Sequence, residues 1–283
     1  MVQSVNRHRA PADVSQQVRL SKLIADQQAL VSGRSRVATP SDDSKAWLEA
    51  ANISRFQSDE AAWVNNLSRA DTRASQAEAS LNTIVNGLIR SRELLLQANT
   101  GTISPTDPAV LAIEVEGIAT DFLDAMGQRD NFGGQLFSTG QRIRMPIGDA
   151  RYVDAAPNLE EVRDDIEIGG GLTASLPDIM AATAASIRTG TPADRATQLT
   201  ALDGAIDRMT QLLTRQGVVK GSITSAREEL TQSKLALADR KSQLIDADVT
   251  EAITRLQTLL TNLQATQAVY AQISQQSLID YLR

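Results

Sequence analysis

Residues 53–98 read "ISRFQSDEAAWVNNLSRADTRASQAEASLNTIVNGLIRSRELLLQA". Ile53, Phe56, Glu60, Trp63, Leu67, Ala70, Ala74, Ala77, Leu81, Ile84, Leu88, Ser91, Leu95 and Ala98 follow one another at alternating steps of three and four. That is the a/d seam of a coiled coil, broken only by Glu60 and Ser91. It predicts a helix of about 70 Å. Its start is read at Thr39-Pro40-Ser41-Asp42, with Thr39 as N-cap, Pro40 at the first helical position and Asp42 reaching back. Such a helix cannot bury its own seam, so a second long helix must cover it.

The other half of the chain supplies one. Leu199, Leu202, Ile206, Met209, Leu213 and Gln216 continue past "GVVKG" (217–221) into Ile223, Leu230, Leu237 and Leu244 at every seventh position. The alternate positions there are Lys220, Arg227, Lys234 and Lys241, obvious partners for Glu60, which would then set the register of the pair. Thr191-Pro192-Ala193-Asp194 repeats the start signal of Thr39, and Val249, Ala252, Leu256, Leu259 and Leu263 mark a terminal helix. Between the arms, a helix is expected from near Pro108, apolar at Val115, Ile118, Phe122 and Met126. "RIRMPIGDARYVD" (142–154) and "DIEIGGG" (165–171) read as short strands with glycine turns. The expected class is mainly α: long coiled-coil helices from both termini form a rod-like base, with a small α/β outer domain. The expected segments are 1–38 for assembly and export, 39–140 and 176–245 as helical arms, 141–175 as a β-rich outer domain, and 246–283 as a C-terminal assembly helix.

Composition narrows the chemistry. The chain has 283 residues, 3% aromatics, no cysteine and a formal net charge of -6. Disulfides, thiolate metal sites and cysteine nucleophiles are therefore excluded. Clustered Lys and Arg are missing, so no nucleic-acid partner is expected. The opening "MVQSVNRHRAPADVSQQV" lacks the continuous apolar core of a secretory signal, so export is expected to read an uncleaved segment. No charged residue lies between Arg255 and Asp280, but Gln257, Gln264, Gln267, Gln272, Gln275 and Gln276 argue against a membrane span.

No reacting constellation emerges. Asp42 and Asp43 suit a helix N-terminus, where the macrodipole favours anions. His8 is the single histidine and cannot complete a transition-metal site. The glycines 169–171 lack the Lys-Ser or Lys-Thr of a phosphate loop and read as a turn. Asp246 and Asp248 read as solvated residues at a helix junction. Neither enzyme activity nor a cofactor is expected.

Several segments together resemble the flagellin superfamily of bacterial flagellar axial proteins. "LVSGRSRVATPSDDSKAWLEAANI" (30–53) is similar to the family's Ser-Gly-basic turn and Asp-Asp helix start. "NNLSRADTRASQAEASLNTIVNGLIRSRELLLQA" (65–98) is similar to the long helix that follows. "NFGGQLFSTG" (131–140) looks like the motif leading into the variable centre, and residues 244–283 look like the terminal helix. Thr39-Pro40-Ser41-Asp42-Asp43 and the ending Ser277–Leu282 look more like the branch that joins hook to filament than like filament flagellin. The resemblance implies a secreted structural subunit in the extracellular flagellum, polymerising as a helical tube of its own copies. It further implies contacts with a neighbouring hook-associated protein and with flagellin, an export chaperone, and passage through the flagellar type III apparatus. It also implies chain ends that fold only on assembly. The neutral polar surface of the last helix suits such a tube, because a buried charge there costs several kcal/mol. The expected assembly residues are Leu20, Leu23, Ile24, Leu30, Leu256, Leu259, Leu263, Tyr270 and Ile273, with Glu60 setting register. A filament flagellin, a type III secretion needle-tip or translocator protein and a cytosolic coiled-coil scaffold are the alternatives.

Overall fold

The computed structural model describes residues 6–33, 35–99 and 107–281, with side chains described from residue 15 to residue 272. The elements in chain order are α1 (Asn6–Gly33), α2 (Ser44–Asn99), α3 (Asp107–Gly127), β1 (Arg144–Pro146), β2 (Tyr152–Asp154), α4 (Leu159–Arg163), β3 (Ile166–Gly169), β4 (Leu172–Ala174), α5 (Leu176–Thr189), α6 (Pro192–Ile245) and α7 (Val249–Tyr281). The fold is mainly α with a small α/β part. Two compact units divide inside α2 and α6: Met1–Gln57 with Lys234–Arg283, hereafter the terminal unit, and Ser58–Ser233, the central unit.

In the central unit the α2 seam is buried from Leu67 to Ala98 as its spacing predicts. Phe56 and Trp63 are more open. On α6 the buried row is Leu202, Ala205, Met209, Leu212, Gln216, Ile223 and Ala226. Ala205 and Leu212 thus take the innermost places that the spacing assigned to Ile206 and Leu213, which pack half-buried against the same core. Small Ala205 lets the backbones approach, while the larger side chains fill the flank; the apolar stripe is wider than a two-helix seam because α3 and α5 contribute to the same core. Lys220 and Arg227 consequently stand at the seam's edge. Lys220 pairs with Glu78 at 2.6 Å, and Arg227 with Asp71 at 3.4 Å.

Both strand pairs are antiparallel hairpins, β1 with β2 and β3 with β4. The turn at 169–171 needs positive φ at three successive residues (96°, 66° and 77°), which only glycine adopts without strain. The start of α6 follows the sequence signal. Asp194 accepts from Thr191 N at 2.8 Å, and Thr191 Oγ1 accepts from Asp194 N. Those hydrogen bonds, led by the one from the Thr191 backbone, hold the Asp194 carboxyl below the usual aspartate range.

Glycines on α6 separate two opposed effects. At Gly217 and Gly221 an added Cβ meets nothing within 4 Å, so alanine removes only unfolded-state entropy. Gly217→Ala is expected to raise stability by about 0.5–1 kcal/mol. At Gly204 the same methyl would strike the backbone carbonyl oxygen of Glu167 on β3. Overpacking of about 1–3 kcal/mol exceeds the propensity gain there, so Gly204→Ala is expected to be net destabilising. Urea unfolding midpoints for the two variants should move in opposite directions.

Candidate assembly interface

The terminal unit is fastened by the stretch between α1 and α2. Arg36 N donates to Ile245 O at 2.6 Å, Ser35 Oγ to the same carbonyl at 3.2 Å, and Arg36 Nη2 to Leu244 O at 2.8 Å. These are orphan carbonyls at the C-terminus of α6, where a guanidinium also meets the negative end of the dipole. Arg36 Nη1 lies 3.5 Å from Asp43 Oδ2.

The start of α2 differs from the sequence expectation. Thr39–Asp42 forms a separate turn, in which Asp42 Oδ2 accepts from Ala38 N and Thr39 N. The cap of α2 is Asp43, whose Oδ1 accepts from Lys45 N and Ala46 N. Thr39-Pro40-Ser41-Asp42 shares with Thr191–Asp194 the carboxylate that accepts from the threonine N–H, but Asp42 N donates to Thr39 O, Thr39 Oγ1 pairs with Ser41 Oγ, and a second aspartate follows. The carboxylate of Asp43 takes the N–H groups of Lys45 and Ala46, and the helix begins at Ser44. Backbone hydrogen bonds, from Ala46 foremost for Asp43 and from Thr39 for Asp42, lower both carboxyls. Asp248 caps α7 in the same way, accepting from Thr250 N and Glu251 N. Among the described residues no group of three or more acidic or histidine side chains is placed to hold a metal ion. No described helix is long and apolar enough to cross a membrane.

α1 packs on α7. Ile24 is buried, and Leu20 and Leu30 are half-buried on α1; Leu256, Leu259 and Leu263 are half-buried on α7. Leu23 and Tyr270 are each 41% exposed, and the side chain of Ile273 falls outside the described residues. The pair leaves Ile253 and Leu260 open to solvent on one side of α7 and Val269 on the opposite side, together with Val18 on α1. Two helices that cover only one stripe of each other present a surface suited to further helices.

Glu60 is only 8% exposed. Its Oε1 accepts from Ser233 Oγ at 2.5 Å, and its Oε2 has no partner. The basic partner expected from sequence is absent among the described residues: Lys220 and Arg227 meet Glu78 and Asp71 farther along α2, and at the level of Glu60 the α6 row presents Ser233, one place before Lys234. Glu60→Leu should therefore raise the unfolding free energy by about 1–3 kcal/mol, the cost of a buried acceptor left bare. A thermal melt checks this, with Glu60→Gln as the polar comparison.

Sequence reasoning missed Arg73. This side chain lies beside the α2 seam, and the residue is 3% exposed. Nη1 contacts Asp130 Oδ2 at 2.6 Å; Nη2 donates to Gln135 O at 2.6 Å and to Leu136 O at 2.5 Å. Desolvation lowers its pKa, against the opposing pull of Asp130. Asp130 Oδ1 in turn accepts from Phe132 N and Gly134 N. The "NFGGQLFSTG" segment is thus wound around one buried guanidinium, with Leu136 and Phe137 driven into the core. The available signal was an arginine one residue before Ala74 in a run of small residues. Gln216, another buried polar group, donates to Ala74 O and Ala155 O, tying α2, α6 and the segment after β2.

Residues 199–282 match the bacterial flagellin C-terminal helical region. Flagellar hook-associated protein 3 of Escherichia coli (strain K12) is 25% identical over 131 residues, covering 46% of this chain and 41% of the relative. The match thus spans about two fifths of the length of that curated relative. Among solved structures, a putative flagellar hook-associated protein from Vibrio parahaemolyticus superposes with a TM-score of 0.65 at 18% identity, covering 72% of this chain and all of that one. Flagellar hook-associated protein 3 from Legionella pneumophila superposes with a TM-score of 0.61 at 13% identity over 69% of this chain and 98% of that one. The chain is thus similar to the flagellin family in its C-terminal helical region, to hook-associated protein 3 over part of its length, and to hook-associated proteins in fold.

Proposed function

We propose that the chain is a structural subunit of the bacterial flagellum, exported and assembled as the adapter between hook and filament. The observation that carries this reading is the α1–α7 pair: two amphipathic helices covering one stripe of each other, with apolar residues open around them and no charge from Leu256 to Ile279. A helix for water would carry Lys and Glu on its outer face; this one carries Gln, Ser and Thr, which hydrogen-bond between copies at small cost. Leu20, Leu23, Ile24, Leu30, Leu256, Leu259, Leu263, Tyr270 and Ile273 form the contact with neighbouring copies, and Glu60 with Ser233 holds the register of α2 against α6. The partners are further copies in a helical tube, a neighbouring hook-associated protein on one side and flagellin on the other. The export chaperone and the flagellar type III apparatus handle the chain before assembly. No catalysis is part of this role.

Immunogold labelling of isolated flagella tests it. A single band at the end of the hook is the expected result. Label along the whole filament would assign the chain to the filament itself, and unlabelled flagella would end the reading.

A further inference from the structure

Away from the terminal helices, the central unit carries two surface patches of opposite charge. The first forms where the 130–136 loop and the β1–β2 hairpin meet α2. The Arg69 guanidinium lies 4.9 Å from the centroid of the Phe132 ring, and that of Arg144 lies 4.7 Å from the centroid of Tyr152. Asn66, one turn before Arg69, donates from Nδ2 to Pro146 O at 2.9 Å. Pro146 is the cross-strand partner of Tyr152, so the two stacked pairs are neighbours. Phe132 is 64% and Tyr152 51% exposed. Arg69 has no ion pair among the described residues, and Arg144 reaches only Asp154, at 3.8 Å. Exposed aromatics and arginines are the side chains on which protein contacts concentrate their energy. A guanidinium stacked on a ring is held in place and keeps its in-plane N–H groups for a carboxylate.

The second patch is an open groove of about 460 Å³ between β3 and α6, with Asp165, Glu167, Asp203 and Asp207 along it against one cation, Arg208, whose Nε donates to Glu161 O. Asp203 pairs with Arg92 on α2. Asp165, Glu167 and Asp207 have no ion pair among the described residues. Arg69 marks the level of the first patch on α2 and Arg92 that of the second, about 35 Å apart along the helix and about 140° apart around it. The patches thus face different ways at different heights. That arrangement suits a head-to-tail contact, which repeats into rings or helical arrays.

We propose that the arginine–aromatic patch around Phe132 and Tyr152 docks into the acidic groove between β3 and α6 of a second copy of the chain. This rests on the polymer reading above and adds to it a contact independent of the terminal helices. Opposite charge selects the groove: an arginine patch meeting its own kind would be repelled, whereas the groove offers three unpaired carboxylates.

The test uses the full chain, with polymer measured by sedimentation. Arg69→Glu with Arg144→Glu reverses the patch, and Glu167→Arg with Asp207→Arg reverses the groove. Each pair is expected to raise the concentration needed for polymer about tenfold or more. An equimolar mixture of the two should recover, because each copy's patch then faces a groove of opposite sign. All the altered side chains are exposed, and unchanged melting curves confirm the fold. The chain has no cysteine, so Phe132→Cys with Asp207→Cys introduces the only thiols. A flexible bis-maleimide should then give a ladder of cross-linked species. Polymer that forms unchanged in both reversed pairs, or cross-linking that stops at a dimer, overturns the proposal while leaving the adapter reading intact. A wild-type chain that never polymerises and never labels flagella overturns both.

Discussion

Arg73→Ala is expected to lower the unfolding free energy by about 3–5 kcal/mol, the loss typical when one member of a buried ion pair is removed. The residue touches three acceptors from one segment, Asp130, Gln135 and Leu136. The Asp130 side chain retains only 11% exposure, so its carboxylate would be stranded away from water. Two backbone carbonyls would lose their donor as well. The 130–136 loop closes over the core through Leu136 and Phe137, so the damage should spread to that edge of the central unit. Arg73→Lys should recover less than half of the loss, because an ammonium cannot reach three acceptors in the plane that a guanidinium spans. With m near 3 kcal/mol/M for a chain of this size, the urea midpoint of Arg73→Ala should fall by about 1–1.7 M. A midpoint unchanged within error would show that the loop is held by its own Asp130 turn and not by the arginine.

Leu263→Asp should separate assembly from folding. Leu263 is half-buried on α7 in the terminal unit, while the largest buried cluster lies in the central unit. The free subunit is therefore expected to keep its main melting transition within about 1 kcal/mol. Inside a tube of copies the same carboxylate would sit among apolar helices without a cation, since α7 carries none beyond Arg255 before its end. That costs several kcal/mol per subunit, which a polymer repeats at every position. The expected outcome is a folded chain that fails to polymerise and cells that shed filaments. A melting curve beside a motility and filament-shedding assay reads both halves. A collapsed main transition would place α7 inside the folding core of the free chain and remove the distinction.

The two results draw on different kinds of information. The long helices follow from the sequence because a 3–4 repeat is a property of one helix face, visible without knowing what covers it. The same holds for the glycines of the β3–β4 turn, where positive φ at three places admits little else. The start of α6 at Thr191-Pro192-Ala193-Asp194 was equally legible, since both capping partners lie three residues apart. The similar signal at Thr39–Asp42 was not enough, because the next carboxylate, Asp43, takes the free N–H groups of Lys45 and Ala46.

What the tertiary structure alone decided is which distant group each polar side chain meets. Glu60 on the seam announced a partner, and the spacing offered Lys220, Arg227, Lys234 and Lys241. Ser233 takes the place because the α6 row is offset by one position, and one residue turns a helical side chain by about 100°. Arg73 gave no periodic sign at all, since its acceptors lie on a loop about sixty residues away, brought near only when α3 has packed on the core. Local periodicity and capping are short-range properties that the chain carries with it. Azimuth between paired helices and the closing of a loop over a buried charge depend on packing energy summed over the whole core, and they exist only once it has formed.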